Sequence, residues 1–290
     1  MKEVIFFHQP FSNGSRMVLL LTMSRQGDSA VYMMDALREQ GVVSAVLVQR
    51  HGAYMTGHVK ARLLAEGVPP QDVEIILLAR NYARREPDCM WPLTRVAAEE
   101  CDNQGSRFAM AGMRPVEIIG SNNGRGPHTG QCISEGFSRM TDGIWIPFRC
   151  DAAVDYPVYD YDRVYDVLWT SPDFFVGEWL NGKQPDLVPG ETPEKFERRV
   201  MSFIHDLLQK DGLRVVTTHF EIITLVHALC VAKQKRGEID ETWTPVKNGG
   251  VVIWKKADGV VMACDYTPDY DLVGKPVEVN MSLAFGYLEW

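Results

Sequence analysis

The sequence predicts an α/β fold, a three-layer and mostly parallel sheet with helices on both faces. Short apolar runs alternate along the 290-residue chain with segments of helical spacing, which is typical of strand–helix units. Several runs are apolar throughout, as expected for strands that are covered on both faces. Glycines such as Gly41, after the helix-like stretch 29–40, mark where helices end.

The chain divides, on this pattern, into an extension, a main domain and a tail. Residues 1–72 are expected to form a βαβα extension, with predicted strands at 17–21 and 43–48 and predicted helices at 29–40 and 58–66. Residues 73–272 are expected to form the main domain, with an ordered, aromatic and acidic insertion at about 142–186. Residues 273–290 are expected to form a tail.

The main domain begins with a strand, a helix and a second strand. The apolar run 73–79 leads into Arg80, Asn81 and a polar loop, and the helical segment 95–112 follows. A second apolar run, 116–119, ends in a polar loop that contains Ser121 and Arg125. Because ligands bind beyond the carboxyl ends of strands in open α/β sheets, we expect a site here.

The remaining elements carry clear local signals. Thr192 followed by Pro193 predicts the start of a helix, since threonine caps helix ends and proline suits the first turn. The run 213–218 predicts a buried strand that ends at His219, and a helix over 222–233 follows. Residues 249–254 and 260–264 flank a turn with Asp258-Gly259, which predicts a β-hairpin.

Composition excludes several classes of protein. The net charge of −8 argues against a nucleic-acid partner, because such proteins usually present a basic face. The six cysteines are scattered and have no zinc-binding spacing, which indicates a reducing compartment. No apolar run is long enough to cross a membrane. We therefore expect a cytoplasmic protein without a cofactor or a membrane partner.

Charged side chains at the predicted strand ends indicate phosphate chemistry. Arg80 and Arg125 could clamp a phosphoryl group, since guanidinium groups bind phosphate in a planar, bidentate manner. His219 could donate to the same group. A carboxyl group from the insertion, held protonated by burial, could protonate a leaving oxygen. The ligand predicted from this pattern is a small phosphorylated molecule.

The order of these features resembles that of the histidine phosphatase superfamily, whose members are phosphoglycerate-mutase-like. The matching pieces are Arg80-Asn81-Tyr82, Leu93-Thr94, Ser121, Arg125, Thr129, Thr218-His219 and Asn248-Gly249-Gly250. The resemblance implies a phosphoglycerate-mutase-like fold, phosphate binding by Arg80, Arg125, Ser121 and Thr129, and catalysis by His219. It also implies a proton donor near Asp173, with Asp151, Asp155, Asp160 and Glu178 as rivals, and it implies no metal.

The family nucleophile is the histidine of an Arg-His-Gly sequence, and two stretches of this chain compete for that position. In the preferred register the position holds Asn81, and an amide nitrogen cannot replace imidazole as a covalent catalyst. The rival is His51 in a literal Arg50-His51-Gly52 after an apolar run. The Arg80 register is preferred because the other family motifs follow it without interruption. Phe220 also replaces the glycine expected after His219.

Three functional hypotheses follow from these patterns. The first is a phosphate-binding protein of this family whose phosphohistidine chemistry is lost or altered. The second is an active phosphatase or phosphomutase that uses His51. The third is a non-catalytic protein that kept the fold and binds a protein partner or a second copy of itself. A dinucleotide-binding enzyme ranks last, since the chain lacks a GxGxxG sequence.

Overall fold

The computed structural model describes residues 32–52, 63–69, 93–122, 125–160, 175–245 and 247–287. Contacts group Val31–Trp290 as one compact unit. The strands predicted at 17–21 and 73–79 lie outside the described residues. None of the described helices is both long enough and apolar enough to cross a membrane.

A seven-stranded sheet forms the centre of the described part of the chain. Its strands are β1 (Val42–Arg50), β2 (Glu117–Gly120), β3 (Phe148–Cys150), β4 (Gly212–Thr218), β5 (Gly250–Lys256), β6 (Val261–Tyr266) and β7 (Leu272–Glu278). The order across the sheet is β3-β2-β4-β1-β5-β6-β7. Strands β3, β2, β4 and β1 are parallel, whereas β5, β6 and β7 pair antiparallel. The sheet is therefore mixed. Short connections join β5 to β6 and β6 to β7, and such connections allow antiparallel pairing.

Strand β1 occupies the middle of this sheet, between β4 and β5. The expectation that residues 1–72 form an extension does not describe Val42–Arg50, which pairs along its length with both neighbours. The expected tail at 273–290 differs as well, since it supplies most of the edge strand β7, which pairs with β6. Both segments belong to the same sheet as the residues between them.

Helices cover both faces of the sheet. They are α1 (Met33–Glu39), α2 (Arg95–Met110), α3 (Arg125–Met140), α4 (Phe175–Leu180), α5 (Pro193–Leu208), α6 (Phe220–Val226) and α7 (Met281–Phe285). Two short 3-10 helices lie at Ala152–Val154 and Pro185–Leu187, and α6 continues as the π-helix His227–Val231. The predicted cap is confirmed: the Thr192 side chain accepts from Lys195 N, and Pro193 opens α5.

The two faces hold separate apolar cores. Alternate residues of β1 point to opposite faces, so Val46 and Val48 enter one core and Ala45 and Leu47 enter the other. Helices α4 to α7 cover the first core, and α1 to α3 cover the second. The predicted three-layer arrangement is confirmed, and it leaves the carboxyl ends of β1, β2 and β4 together at one edge.

Candidate active site

Two buried histidines lie side by side at the carboxyl ends of β1 and β4. Arg50 pairs with Thr218 across these parallel strands, so His51 and His219 follow at the same level. The backbone N–H of His51 donates to the Thr218 carbonyl at 2.9 Å. The centroids of the two imidazole rings are 5.1 Å apart, and both side chains are almost fully buried. Strand pairing therefore brings together two residues that are far apart in sequence.

The geometry around His51 fixes which ring nitrogen carries its proton. Nδ1 lies 2.7 Å from the carbonyl oxygen of Gly52. Because a carbonyl can only accept, Nδ1 carries the hydrogen. Burial lowers the pKa of His51 well below its ordinary value, and the nearby charges of Lys247, Arg125 and Arg50 lower it further. The ring is therefore neutral near pH 7, with its lone pair on Nε2.

His219 is held by the end of the next strand. Its Nε2 lies 2.8 Å from Oγ of Ser121, which directly follows β2. Tyr156 packs edge-on against the ring, with centroids 4.8 Å apart. Burial lowers the pKa of His219 well below its ordinary value, with further contributions from Arg125 and Lys247. The site thus contains a second neutral imidazole.

The first two turns of α3 bring a cation and two hydroxyl contacts to the carboxyl ends of β1 and β4. Arg125, its first residue, is buried and lowers the pKa of both histidines. The Gly126 carbonyl accepts from Thr217 Oγ1 at 2.8 Å, which ties the helix to β4. One turn later, Thr129 Oγ1 accepts from the backbone N–H of Gly52 at 3.1 Å. The helix start therefore contacts the ends of both central strands.

Arg50 and the segment before β5 enclose the other side of His51. The backbone N–H of Arg50 donates to the Gly249 carbonyl at 2.9 Å, and its Nη1 donates to the Pro245 carbonyl at 2.5 Å. Its guanidinium lies over the Phe220 ring, 5.3 Å from the centroid. Lys247 lies between these two carbonyl contacts in the chain. Lys247 was not predicted from sequence, because it belongs to no motif and follows no predicted strand.

A buried carboxyl group adjoins the histidines. Glu221 lies in the first turn of α6, two residues after His219, and accepts a hydrogen bond from Tyr159 OH at 2.8 Å. Burial raises the pKa of Glu221, and the charges of Arg125 and Arg50 oppose that rise. Glu221 was not among the acids predicted from sequence. The available signal was an acid two residues beyond a strand-end histidine.

The acids considered from sequence differ in their placement. Asp151 contacts Arg149 Nη1 at 2.5 Å and caps a 3-10 helix, while Asp155 accepts from both nitrogens of Asn122. These contacts account for both carboxylates. Asp173, like Arg80 and Asn81, lies outside the described residues. Within the described ranges, no group of three or more histidine, cysteine or acidic residues could hold a metal.

The structure therefore brings together four of the residues predicted from sequence and adds others beside them. Ser121, Arg125, Thr129 and His219 converge with His51 at one edge of the sheet. Arg50, Lys247 and Glu221 join them. The site thus contains three cations, two neutral imidazoles and a carboxyl group of raised pKa. Such a set is suited to the transfer of an anionic group, in which the carboxyl group donates a proton to the leaving atom.

No family model and no curated protein sequence matches this chain. Among solved structures, its fold is similar to that of phosphoglycerate mutase from Bacillus anthracis, with 14% identity, a TM-score of 0.46 and coverage of 83% of this chain and 95% of that one. It is also similar to mycobacterial glucosyl-3-phosphoglycerate phosphatase complexed with VO3, with 14% identity, a TM-score of 0.48 and coverage of 72% and 92%. At such identity, similarity of fold does not assign a function.

Proposed function

We propose that this chain is a phosphohydrolase or phosphotransferase of the histidine phosphatase superfamily, in which His51 is the nucleophile. The observation that carries the proposal is the pairing of His51 with His219 at the ends of adjacent parallel strands. The contact of His51 Nδ1 with the Gly52 carbonyl supports it, because that contact places the ring hydrogen on Nδ1 and makes Nε2 the basic nitrogen. An imidazole thus occupies the strand end, and no loss of family chemistry needs to be invoked.

The first step transfers the phosphoryl group of a small phosphate ester to His51. The Nε2 lone pair forms a bond to phosphorus as the bond from phosphorus to the ester oxygen breaks. Arg50 and Arg125 balance the charge on the phosphoryl oxygens, and His219 hydrogen-bonds to one of them. Glu221 in its protonated form, which burial favours by raising its pKa, gives its proton to the departing oxygen.

The second step releases the phosphoryl group and restores the enzyme. Water, or the hydroxyl of an acceptor, attacks phosphorus as the bond to Nε2 breaks. The Glu221 carboxylate takes the proton of the attacking oxygen, which returns both side chains to their starting forms. Water as the attacking group makes the protein a phosphatase, and an acceptor hydroxyl makes it a phosphotransferase.

Covalent labelling tests this proposal directly. We expect rapid quenching after mixing with a radiolabelled phosphate monoester to trap label on His51, with the acid lability and alkali stability of phosphohistidine. His51→Ala should abolish labelling and lower turnover of p-nitrophenyl phosphate by about 1,000-fold or more, since it removes the attacking atom.

His205→Gln is the matched control. His205 is a buried histidine on α5 that packs against Phe285, away from the two strand ends. This variant should keep both the label and the turnover. Turnover that survives in His51→Ala would refute the proposal.

A further inference from the structure

We propose that Arg199 is a positioning residue of the site, and that it orients His219 and Glu221 through two tyrosines. It does so by holding the backbone of residues 152–155, called here the site turn, which both tyrosines follow in the chain. This inference rests on the proposed function, in which His219 and Glu221 act on the transferred group and the leaving oxygen. Arg199 itself lies in the middle of α5.

Two contacts orient the guanidinium group of Arg199. Its Nε and Nη2 donate to the two carboxylate oxygens of Glu191 at 2.8 and 2.7 Å. Its central carbon lies 5.1 Å from the centroid of the Phe196 ring, which is fully buried. A bidentate pair fixes the plane of the guanidinium group, because both donors must meet the same carboxylate. The third nitrogen, Nη1, therefore points in a defined direction.

Nη1 of this guanidinium group binds the site turn. It donates to three of the four carbonyls of the turn, at 3.1, 2.8 and 3.1 Å to Ala152, Ala153 and Asp155. The fourth carbonyl, that of Val154, accepts from Thr218 Oγ1 at 2.7 Å, and Thr218 is the last residue of β4. The turn is thus bonded to α5 on one side and to the end of β4 on the other.

The tyrosines after the site turn contact the histidine and the carboxyl group of the proposed mechanism. Tyr156 directly follows the turn and packs edge-on against His219. Tyr159 lies beside it, with ring centroids 6.2 Å apart and ring planes 15° from parallel. The Tyr159 hydroxyl donates to Glu221. A displacement of the site turn therefore moves both rings, and it changes the contacts of His219 and of Glu221.

Arginine suits this task because it binds a carboxylate and several carbonyls at once. Its planar group supplies five N–H donors in a fixed fork, whereas the ammonium group of lysine is one centre with three donors. Removal of the guanidinium group takes the donor from three carbonyls of the site turn and the ion pair from Glu191. The site turn then loses these bonds to α5.

The rate and the pH profile of Arg199→Met test the assignment. With p-nitrophenyl phosphate we expect kcat to fall by about 10-fold to 100-fold and KM to change less, because displaced groups impair the chemical step. Burial raises the pKa of Glu221, whereas the hydrogen bond from Tyr159 lowers it. Arg125 and Arg50 also lower it. Loss of the Tyr159 bond should therefore move the alkaline limb of kcat/KM to higher pH.

The same measurement in the Tyr159→Phe background shows whether the effect passes through Tyr159. There Arg199→Met should produce no further shift of the alkaline limb, because the hydrogen bond to Glu221 is already absent. An alkaline limb that stays at its wild-type pH in the single variant Arg199→Met would overturn the proposal. A full second shift in the double variant would overturn it as well.

Arg236→Met is the matched control. The Arg236 side chain is 34% exposed, against 26% for Arg199, and it pairs with Glu194 and Glu197 of the same helix. The variant makes the same change of charge and also removes ion pairs from α5, so kcat and the alkaline limb should stay those of the wild type. An equal fall of kcat in Arg236→Met would refute the proposal, since loss of an ion pair on α5 would then be sufficient.

Arg199→Lys is the milder variant, and it decides the question if Arg199→Met does not fold. It keeps the charge but not the fork, so it should show a smaller fall of kcat and a shift of the alkaline limb in the same direction. Wild-type kinetics in Arg199→Lys would contradict the need for a forked donor at this position.

Nuclear magnetic resonance provides a measurement that needs no turnover. In protein with 15N-labelled histidine, the ring current of Tyr156 should shift the ring protons of His219, and Tyr156→Leu identifies that contribution. Arg199→Met should move the His219 signals toward those of Tyr156→Leu, while the signals of His227, which bonds to β6, stay in place. Changed His219 signals would support the positioning role even if labelling shows a different nucleophile. Unchanged His219 signals would refute it even if labelling confirms the nucleophile.

Discussion

In the proposed mechanism, the protonation states of His51 and Glu221 determine the pH range in which the site is active. His51 must be neutral to attack, and its lowered pKa keeps it neutral well into the acidic range. Glu221 must be protonated to donate, and its raised pKa extends the protonated form above the ordinary carboxyl range. The rate should therefore rise as His51 loses its proton and fall as Glu221 ionises.

A pH profile of kcat/KM checks this assignment. We expect a bell-shaped profile in which ionisation of Glu221 causes the fall in rate at alkaline pH. Glu221→Gln should therefore remove that alkaline limb and lower the rate by about 100-fold to 10,000-fold. The hydrogen bond from Tyr159 lowers the pKa of Glu221, so Tyr159→Phe should move the limb to higher pH. An unchanged alkaline limb in Glu221→Gln would show that another group donates the proton.

Individual site residues were predictable only where they followed a recognisable strand or motif. Ser121, Arg125, Thr129 and His219, which the structure places together, were selected because their order along the chain resembles the family pattern. His51 was ranked second because residues 53–92 separate it from the other motifs, and sequence spacing does not reveal which strands are neighbours.

The start of α3 shows how an element can set the geometry of the site. A Cβ added at Gly126 would lie 2.3 Å from Ser121 Oγ and 3.0 Å from the Thr217 carbonyl oxygen. Only glycine allows the helix to approach β4 this closely, and the approach carries Arg125 toward both histidines. The absence of a side chain at residue 126 is thus a requirement of the site.

Gly126→Ala should therefore impair activity more than stability. A shift of the helix start by about 1 Å moves both Arg125 and Ser121, and misplacement of that size can cost about 100-fold in rate. Steady-state kinetics alongside thermal unfolding separates the two effects. Gly190→Ala is the control, because no atom lies within 4 Å of its added Cβ and its φ is ordinary. Wild-type activity in Gly126→Ala would contradict the tight packing.

Local sequence signals predicted those helices and turns whose structure depends on neighbouring residues. The capped helix α5 and the β5–β6 hairpin followed from threonine, proline and an Asp-Gly turn. Strand β7 was missed, because its residues are mostly exposed, and Gly274 and Pro276 are unfavourable in strands. Its pairing with β6 depends on tertiary contacts at the sheet edge, which no local pattern encodes.

For the whole molecule, protonation of the two buried histidines is linked to the free energy of unfolding. The folded pKa of His51 and of His219 lies below that of the unfolded chain. The unfolded state therefore binds more protons once the pH falls below about 6.5, and the free energy of unfolding falls with it. The slope from each histidine is at most about 1.4 kcal/mol per pH unit.

Urea unfolding at about pH 7 and about pH 5 measures this linkage, since the interval spans the unfolded histidine pKa. We expect the double variant His51→Gln and His219→Gln to lose less stability over this interval than the wild type, because glutamine does not titrate. An equal loss in both proteins would mean that other groups dominate acid unfolding. Thermal scans at the same two pH values provide an independent check.

The architecture was predictable as a class but not as a topology. Alternating apolar runs and helical segments predict helices on both faces of a sheet, and the two cores confirm this. The central place of β1 was not predictable, because it depends on pairing with β4 and β5. An apolar strand can be buried on both faces, but its composition does not determine which strands lie beside it.

The central place of β1 also determines how late in synthesis its two neighbouring strands become available. Ser44 pairs with Gly212, which is synthesised 168 positions later. At about 5–20 residues per second, the ribosome needs roughly 8–34 s to provide that partner. During this time the apolar run before His51 lacks both flanking strands and remains unpaired in the sheet. The two histidines first meet late in translation, so shorter nascent chains cannot assemble the candidate site.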